Sequence, residues 1–82
     1  MKIKILSSQE KLLEGEAKEV IFPGEDGEFS VWDFHEPCLY RLRAGKIMVK
    51  LKKEKEEKVF LIKRGLAKIE FDRLVALVEP LI

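Results

Sequence analysis

The segment from residue 33 to residue 38 holds the side chains of this sequence that most often carry chemistry. Four of them, Asp33, His35, Glu36 and Cys38, could coordinate a metal ion. Structural zinc sites usually take ligands from separated pairs that converge in the fold, whereas these four share one loop that Pro37 stiffens. The sequence therefore predicts a polar loop here, with no metal site and no cofactor.

Cys38 and His35 also offer the combination of a nucleophile with a base. The chain has only one histidine, and a lone cysteine at the start of a strand usually packs as a small apolar side chain. An enzyme with a Cys38–His35 site stays open as an alternative. The residues favour a protein that has no catalytic residues of its own.

Tyr40, Arg41 and Arg43 interleave aromatic and basic side chains, as in small β-barrels that bind single-stranded nucleic acid. The net charge is only +1, although 38% of the residues are charged, and dedicated nucleic-acid binders show a basic excess. Nucleic-acid binding is therefore kept as the alternative function, and the main prediction includes no nucleic-acid partner.

Turn-forming residues and acids are concentrated between residues 23 and 28. Proline presets φ and glycine accepts positive φ, so Pro23-Gly24 and Asp26-Gly27 predict tight turns. An Asp-Gly dipeptide between apolar runs predicts a β-hairpin. The predicted tip carries three carboxylates, those of Glu25, Asp26 and Glu28.

Aromatic residues follow this hairpin closely. Phe29, Trp32 and Phe34 stand three and two positions apart, so they cannot all face inward from one strand. Either the chain bends here, or an apolar patch is exposed for a partner.

Alternation of polar and apolar residues predicts the fold class. Strands are expected at 2–5, 20–22, 38–42, 46–51, 59–62, 66–71 and 74–78. We expect residues 11–20 to be extended with Gly15 at a bulge or bend, 59–62 to be buried on both faces, and Arg64-Gly65 to form a turn. Residues 74–81 also fit a helical stripe, but Pro80 and the short length favour a strand. Strands at this spacing predict a small all-β sandwich of two packed sheets.

Composition limits the remaining possibilities. Eighty-two residues make one domain, and the single cysteine excludes an internal disulfide and suits a reducing compartment. No apolar run is long enough to span a membrane, and the first residues lack the features of a signal peptide. Lysine and glutamate are abundant while Asn and Thr are absent, a bias typical of hyperthermophile proteins.

The run FPGEDGEF at 22–29 resembles a PGxxGEFGVLPGHAPLL-like run in the amino-terminal domain of the epsilon subunit of F-type ATP synthases. Further landmarks are similar in the same order over nearly the whole chain. LEGE at 13–16 is similar to the family's F-x-G-E bend, RAGKI at 43–47 to its K-P-G turn, and LVALVE at 74–79 to its last strand. Departures cluster at Ser30, 32–34, Glu36, Cys38 and 63–64.

The resemblance implies a β-sandwich of about ten short strands that occupies residues 1–82. Most members continue into two carboxy-terminal helices that hold an inhibitory element, and no such helical hairpin is expected within this sequence. The implied protein is a non-catalytic central-stalk subunit that couples rotation to ATP synthesis. It would lie at the cytoplasmic face of the bacterial inner membrane, attached peripherally through the complex.

The resemblance also implies two contact surfaces. The acidic tip (Glu25, Asp26, Gly27 and Glu28) would meet the c-ring of the membrane sector, whose loops carry a basic residue in this family. The surface that faces the gamma subunit would include His35, Leu39 and Leu42.

Overall fold

The computed structural model describes residues 1–33 and 35–81, and its regular structure in that part of the chain is entirely β. Phe34, which the sequence analysis grouped with Phe29 and Trp32, lies outside the described residues. The predicted all-β class is confirmed. The strands are β1 (Lys2–Leu6), β2 (Lys11–Gly24), β3 (Gly27–Val31), β4 (Cys38–Leu42), β5 (Gly45–Leu51), β6 (Lys58–Ile69) and β7 (Arg73–Pro80).

Two long strands, β2 and β6, each take part in both layers of the sandwich. The first part of β2 pairs with β1 and its second part with β5 and β3. In the same way β6 pairs first with β5 and then with β4. Strand β7 pairs with both β6 and β1, in parallel with the latter. Because these two strands continue where shorter ones were expected, the described residues form seven strands.

Alternating apolar residues from both layers form the core. Ile3 and Ile5 point inward from β1, and Ile47 and Val49 point inward from β5. Phe22 is the largest fully buried side chain, and its ring stacks on that of Phe29 with centroids 5.4 Å apart. No polar or charged residue of the described chain is buried. The side chains of the core are therefore all apolar, and the polar side chains lie at the surface.

Gly15 does not lie at a bulge or bend, contrary to the prediction. Gly15 pairs regularly with Ile3 of β1. The pairing of β2 shifts register at two other places: before Gly15, opposite Ile5/Leu6, and after it, between Ala17 and Glu19. A Cβ atom on Gly15 would lie 3.4 Å from Leu51 Cδ2. This is an ordinary van der Waals distance, so the glycine is required neither for a change of direction nor for close packing.

The predicted turn at Arg64-Gly65 is also wrong, because β6 continues through it. The register of β6 against β7 shifts between Ile62 and Arg64, so the strand bends at a bulge. A Cβ atom on Gly65 would lie 2.7 Å from the Leu77 carbonyl oxygen. Glycine is therefore needed at position 65 because β6 and β7 approach each other closely there, and not because the chain turns.

The segment 59–62 is not buried on both faces. Val59 and Leu61 are 52% and 53% exposed, while Ile62 between the layers is buried. The segment therefore alternates, as a strand with one free face does.

Residues 74–81 fit both a strand and a helical stripe in the sequence, and the structure shows a strand. Leu74, Ala76 and Val78 point inward from β7, whereas Leu77 is 54% exposed. A helical stripe would have buried Leu77 with Leu74.

Near the other end, the Ser7 hydroxyl accepts hydrogen bonds from the Glu10 and Gln9 backbone N–H groups, as in a helix cap, but these close a turn between β1 and β2.

The predicted hairpin is confirmed between β2 and β3. Gly24 pairs with Gly27, so Glu25 and Asp26 form a two-residue loop. Gly27 has a φ of 132°, which L side chains rarely adopt, and this explains why glycine follows the acids. The hairpin bends toward β4, because the Glu25 N–H donates to the Arg41 carbonyl and the Arg43 N–H donates to the Pro23 carbonyl.

Candidate partner-binding surface

Three carboxylates at the hairpin tip are free of ion pairs. Asp26 and Glu28 are exposed, as is Glu25, and none of the three lies within 4 Å of a cationic group in the described part of the chain. The two-residue turn fixes the loop backbone, so these charges are held close together. Unpaired acids on a well-defined turn are available to a basic partner.

A row of leucines crosses three neighbouring strands, β1, β7 and β6. It lies on the outer face of the layer that also contains β4. Leu6 pairs with Leu77, and Leu77 pairs with Leu66. Leu77 and Leu66 are 54% and 40% exposed, and Leu6 is partly exposed. Arg41 on β4 is paired with Leu66 and extends the row. We call Leu6, Leu77 and Leu66 the leucine row.

The leucine row forms the floor of a shallow groove of about 880 Å³. Glu25 of the hairpin and Arg41 line one end of this groove. The other wall carries Arg64 and Glu79, whose side chains form an ion pair with Nε and Oε2 3.1 Å apart. The acidic hairpin and the apolar face therefore belong to one continuous surface, although they are distant in sequence.

The three residues that the resemblance implied for the gamma contact have different environments. Leu39 is 65% exposed on the same outer face as the leucine row, and His35 is half-buried in the loop before β4. Leu42 points to the core and is 4% exposed. Alternation along β4 explains the difference, because residues 39 and 42 lie on opposite faces of the strand. A surface contact can use Leu39 and His35, while Leu42 supports the strand from within.

Cys38 and His35 are brought together, but not as a nucleophile and a base. Cys38 Sγ lies 3.7 Å from His35 Nδ1. The same nitrogen is 2.7 Å from the Glu36 carbonyl oxygen, which can only accept a hydrogen bond. Nδ1 therefore carries the proton and donates it to the carbonyl, so it cannot take a proton from the thiol.

Tyr40 is not a free stacking platform for a base. Its ring is half-buried and lies 4.1 Å from the Phe29 ring centroid. A hydrogen bond with the Cys38 side chain raises the pKa of the Tyr40 phenol above its ordinary value. Arg41 and Arg43 remain exposed, but the nucleic-acid alternative loses the aromatic side chain that it required.

Asp33 has its polar contacts with the amino terminus and Lys52. Its carboxylate accepts a hydrogen bond from the Met1 ammonium group, which also donates to the Ala17 carbonyl over 3.0 Å. Lys52 approaches the other carboxylate oxygen at 3.7 Å.

Within residues 1–33 and 35–81, no three His, Cys, Asp or Glu side chains are arranged to hold a metal ion. No helix in that part of the chain has the length and apolar character needed to cross a membrane.

The Asp33 contact predicts a pH dependence of stability. The hydrogen bond from the Met1 ammonium, with the charges of Met1 and Lys52, lowers the pKa of Asp33 below its usual value. A carboxyl group with a lower pKa in the folded state stabilises the fold above its unfolded pKa of about 3.9. This contribution is lost as the pH falls through the folded pKa. Asp33→Asn should therefore lower the thermal midpoint at pH 7, and this difference should shrink as the pH falls below the unfolded pKa of about 3.9, as measured by circular dichroism.

Asp72→Asn is the matched control for that experiment. Asp72 is exposed and close to Arg73, with 3.9 Å between Oδ1 and Nε, but it does not accept a hydrogen bond from the ammonium group. Equal effects of the two variants across the pH range would contradict the role of the Met1 contact.

The leucine row was not recognised from the sequence. Its only signal was Leu77, which is out of phase with the inward residues of the predicted strand 74–78. Leu6 follows the predicted strand 2–5 and Leu66 begins the predicted strand 66–71, so they could not be assigned to the same face without the pairing of β1, β7 and β6.

Comparison with known proteins gives the family. All of residues 1–82 match the family described as the ATP synthase delta/epsilon chain β-sandwich domain. This chain belongs to that family. Among its relatives is ATP synthase epsilon chain 2 of Ralstonia nicotianae, which is 32% identical over 94% of this chain and 55% of its own length. The ATP synthase epsilon chain of Laribacter hongkongensis is 28% identical over 96% and 56%, respectively.

Two solved structures of ATP synthases contain a chain with the same fold. A chain of the Tetrahymena thermophila mitochondrial ATP synthase central stalk/c-ring structure matches with a TM-score of 0.83 over 96% of this sequence, at 13% identity. A chain of the Euglena gracilis mitochondrial ATP synthase matches with a TM-score of 0.84 over 93%, at 18% identity. The chain spans about half the length of the bacterial epsilon chains that it matches.

Proposed function

We propose that this epsilon-type β-sandwich is a non-catalytic subunit of the central stalk in a proton-translocating F-type ATP synthase. In this role it binds the gamma subunit, rests on the c-ring and helps to couple rotation to ATP synthesis. ATP chemistry takes place on other subunits of the complex. The chain acts at the cytoplasmic face of the bacterial inner membrane, where its bacterial relatives suggest a peripheral attachment through the complex.

The observation that carries this proposal is the continuity of the acidic hairpin with an exposed apolar face. A stalk subunit needs two different contacts, one with a polar ring surface and one with a permanent partner. Glu25 and the leucine row line the same groove, so one side of the sandwich offers both kinds of contact. Contiguous exposed apolar patches often mark interaction sites, so this face is the natural place for a partner.

We assign the hairpin tip to the c-ring contact. Glu25, Asp26 and Glu28 are unpaired carboxylates, and Gly27 holds the turn that presents them. Each exposed ion pair contributes about 0.2–1 kcal/mol and is weakened by salt. These contacts therefore orient the docking more than they strengthen it.

We assign the outer face with Leu39 and the leucine row to the gamma contact. Burial of exposed leucines contributes about 25 cal/mol per Å² of apolar area removed from water, so this face supplies most of the affinity. His35 lies at the edge of the strand that carries Leu39 and would meet the same partner. A crosslinker attached at position 35 that never reaches gamma would contradict this assignment.

Neutralising the hairpin should weaken docking on the c-ring. The triple variant Glu25→Gln, Asp26→Asn and Glu28→Gln is expected to reduce the affinity of the assembled stalk for c-ring vesicles about tenfold, the sum of three exposed pairs. The loss should shrink as the salt concentration rises. Co-sedimentation of the reconstituted gamma complex with the vesicles measures it, and Glu28→Ala alone should account for part of the loss.

The charged connection between β5 and β6 provides the control. Glu54→Gln, Glu56→Gln and Glu57→Gln remove the same charge from an exposed loop. If this variant weakens docking as much as the hairpin variant, net charge rather than the hairpin determines the contact, and the assignment is wrong.

A further inference from the structure

We infer that the leucine row binds a single α-helix of the gamma subunit, lying across the strands, with carboxylates beside its apolar ridge. This inference rests on the proposed function and specifies the contact that the function requires. It starts from the pairing of Leu6 with Leu77 and of Leu77 with Leu66, which places one partly exposed and two exposed leucines on adjacent strands. The row therefore runs perpendicular to the strands.

The spacing of the leucine row matches a helix better than an extended segment. Neighbouring strands lie about 4.8 Å apart, so two steps along the row cover roughly 9.6 Å. Two turns of an α-helix rise about 10.8 Å, and residues at i, i+4 and i+7 would meet the three leucines in order. Same-face residues of an extended segment repeat about every 6.6 Å and would drift out of phase by roughly 3.6 Å over the row.

The charges around the row specify the rest of the helix surface. Arg41 continues the row on β4 and has no carboxylate within 4 Å in residues 1–33 and 35–81. Lys68 lies on the same face, paired with Leu39 of β4, and it already forms an ion pair with Glu70, with Nζ and Oε1 3.9 Å apart. On the opposite side, Arg64 and Glu79 already neutralise each other. A partner helix therefore needs carboxylates toward Arg41, and none toward the Lys68–Glu70 and Arg64–Glu79 pairs.

Site-specific photo-crosslinking tests the helix. Leu6, Leu77 and Leu66 are replaced one at a time by benzoylphenylalanine in the full chain, which is bound to the gamma subunit of the same organism and irradiated. Mass spectrometry of the crosslinked peptides should place the three sites in one segment of gamma, three or four residues apart and in the order of the row. A crosslinker at Val59, which is 52% exposed on the other layer, should not reach that segment.

Three other outcomes would contradict the helix, the leucine row and the proposed function, respectively. Crosslinks two residues apart, or scattered over several segments of gamma, would overturn the helix and leave the proposed function standing. Binding of gamma without crosslinks from any of the three positions would overturn the leucine row as the contact. Failure of the unmodified chain to bind gamma would overturn the proposed function itself, and the helix with it.

Charge reversal at Arg41 tests the carboxylates. Arg41→Glu should weaken gamma binding about tenfold at low salt, with a smaller effect at high salt, because it replaces an attraction by a repulsion. Lys55→Glu makes the same change in the exposed β5–β6 connection and should leave the affinity unchanged. Equal losses for the two variants, with unchanged circular dichroism, would overturn the predicted carboxylates.

Discussion

Phe22→Ala should lower the free energy of unfolding by about 3–5 kcal/mol, the usual cost of removing a buried phenylalanine. At the usual stability per residue, a domain of this size has only about 4–12 kcal/mol in total, so this one substitution removes a large share of the stability. Phe22 is the largest side chain in the core and is fully buried. Its ring also stacks on Phe29, so the cavity would extend to the base of the acidic hairpin.

Thermal unfolding followed by circular dichroism measures this effect, with Phe71→Ala as the control. The control removes the same side chain from a position that is 59% exposed, where surface substitutions change stability by about 0.5 kcal/mol or less. If the two variants unfold at the same temperature, the core does not depend on Phe22 as the structure indicates.

Gly24→Ala should both destabilise the fold and displace the acidic hairpin. An added Cβ atom would lie 2.5 Å from the Gly27 carbonyl oxygen and 2.7 Å from Phe29 Cδ1. The carbonyl belongs to the backbone of the hairpin and cannot move alone, so the two-residue turn must open. Overpacking of this kind costs about 1–3 kcal/mol. The midpoint of urea unfolding and the backbone NMR shifts of Glu25 and Asp26 measure the two effects.

Gly15→Ala is the matched control for this variant. The same added methyl group would lie 3.4 Å from the end of the Leu51 side chain, which can adjust. We expect a much smaller loss of stability and no shift at the hairpin. If Gly15→Ala were as destabilising as Gly24→Ala, the contact with the Gly27 carbonyl would not be the cause.

The Gly24 prediction also separates stability from function. If the displaced hairpin weakens c-ring docking more than the loss of folded protein explains, the geometry of the tip matters as well as its charge. The comparison requires a temperature at which the variant remains folded, and the composition bias toward lysine and glutamate suggests that such a range exists. A thermal midpoint of the unmodified chain below about 60 °C would contradict the hyperthermophile interpretation.

Local residue chemistry was sufficient to predict the fold class and the hairpin. The side-chain period of a strand is set by the backbone, so alternation at 46–51 identified β5 without any knowledge of its neighbours. Proline and glycine restrict or release φ locally, so the turn before Gly27 could be predicted as well. The family resemblance rested on the same turn and on the order of the landmarks around it.

Features that depend on contacts between distant strands could not be predicted in the same way. Gly15 and Gly65 were interpreted as points where the chain bends, because a glycine in a sequence carries no sign of what lies opposite it. The structure instead shows room for a Cβ atom at Gly15 and a close approach to the Leu77 carbonyl at Gly65. Similarly, Leu42 was placed on the surface by resemblance, although its position on β4 directs it into the core.

The sequence by itself determined that the chain forms strands, that a tight turn presents three acids, and which family it resembles. These properties depend on neighbouring residues, whose backbone preferences and spacing are fixed along the chain. Only the tertiary structure decided that the acids adjoin an apolar face, because Leu6, Leu66 and Leu77 become neighbours through the pairing of β1, β7 and β6. That pairing results from burying the opposite faces of the same strands, a property of the whole core.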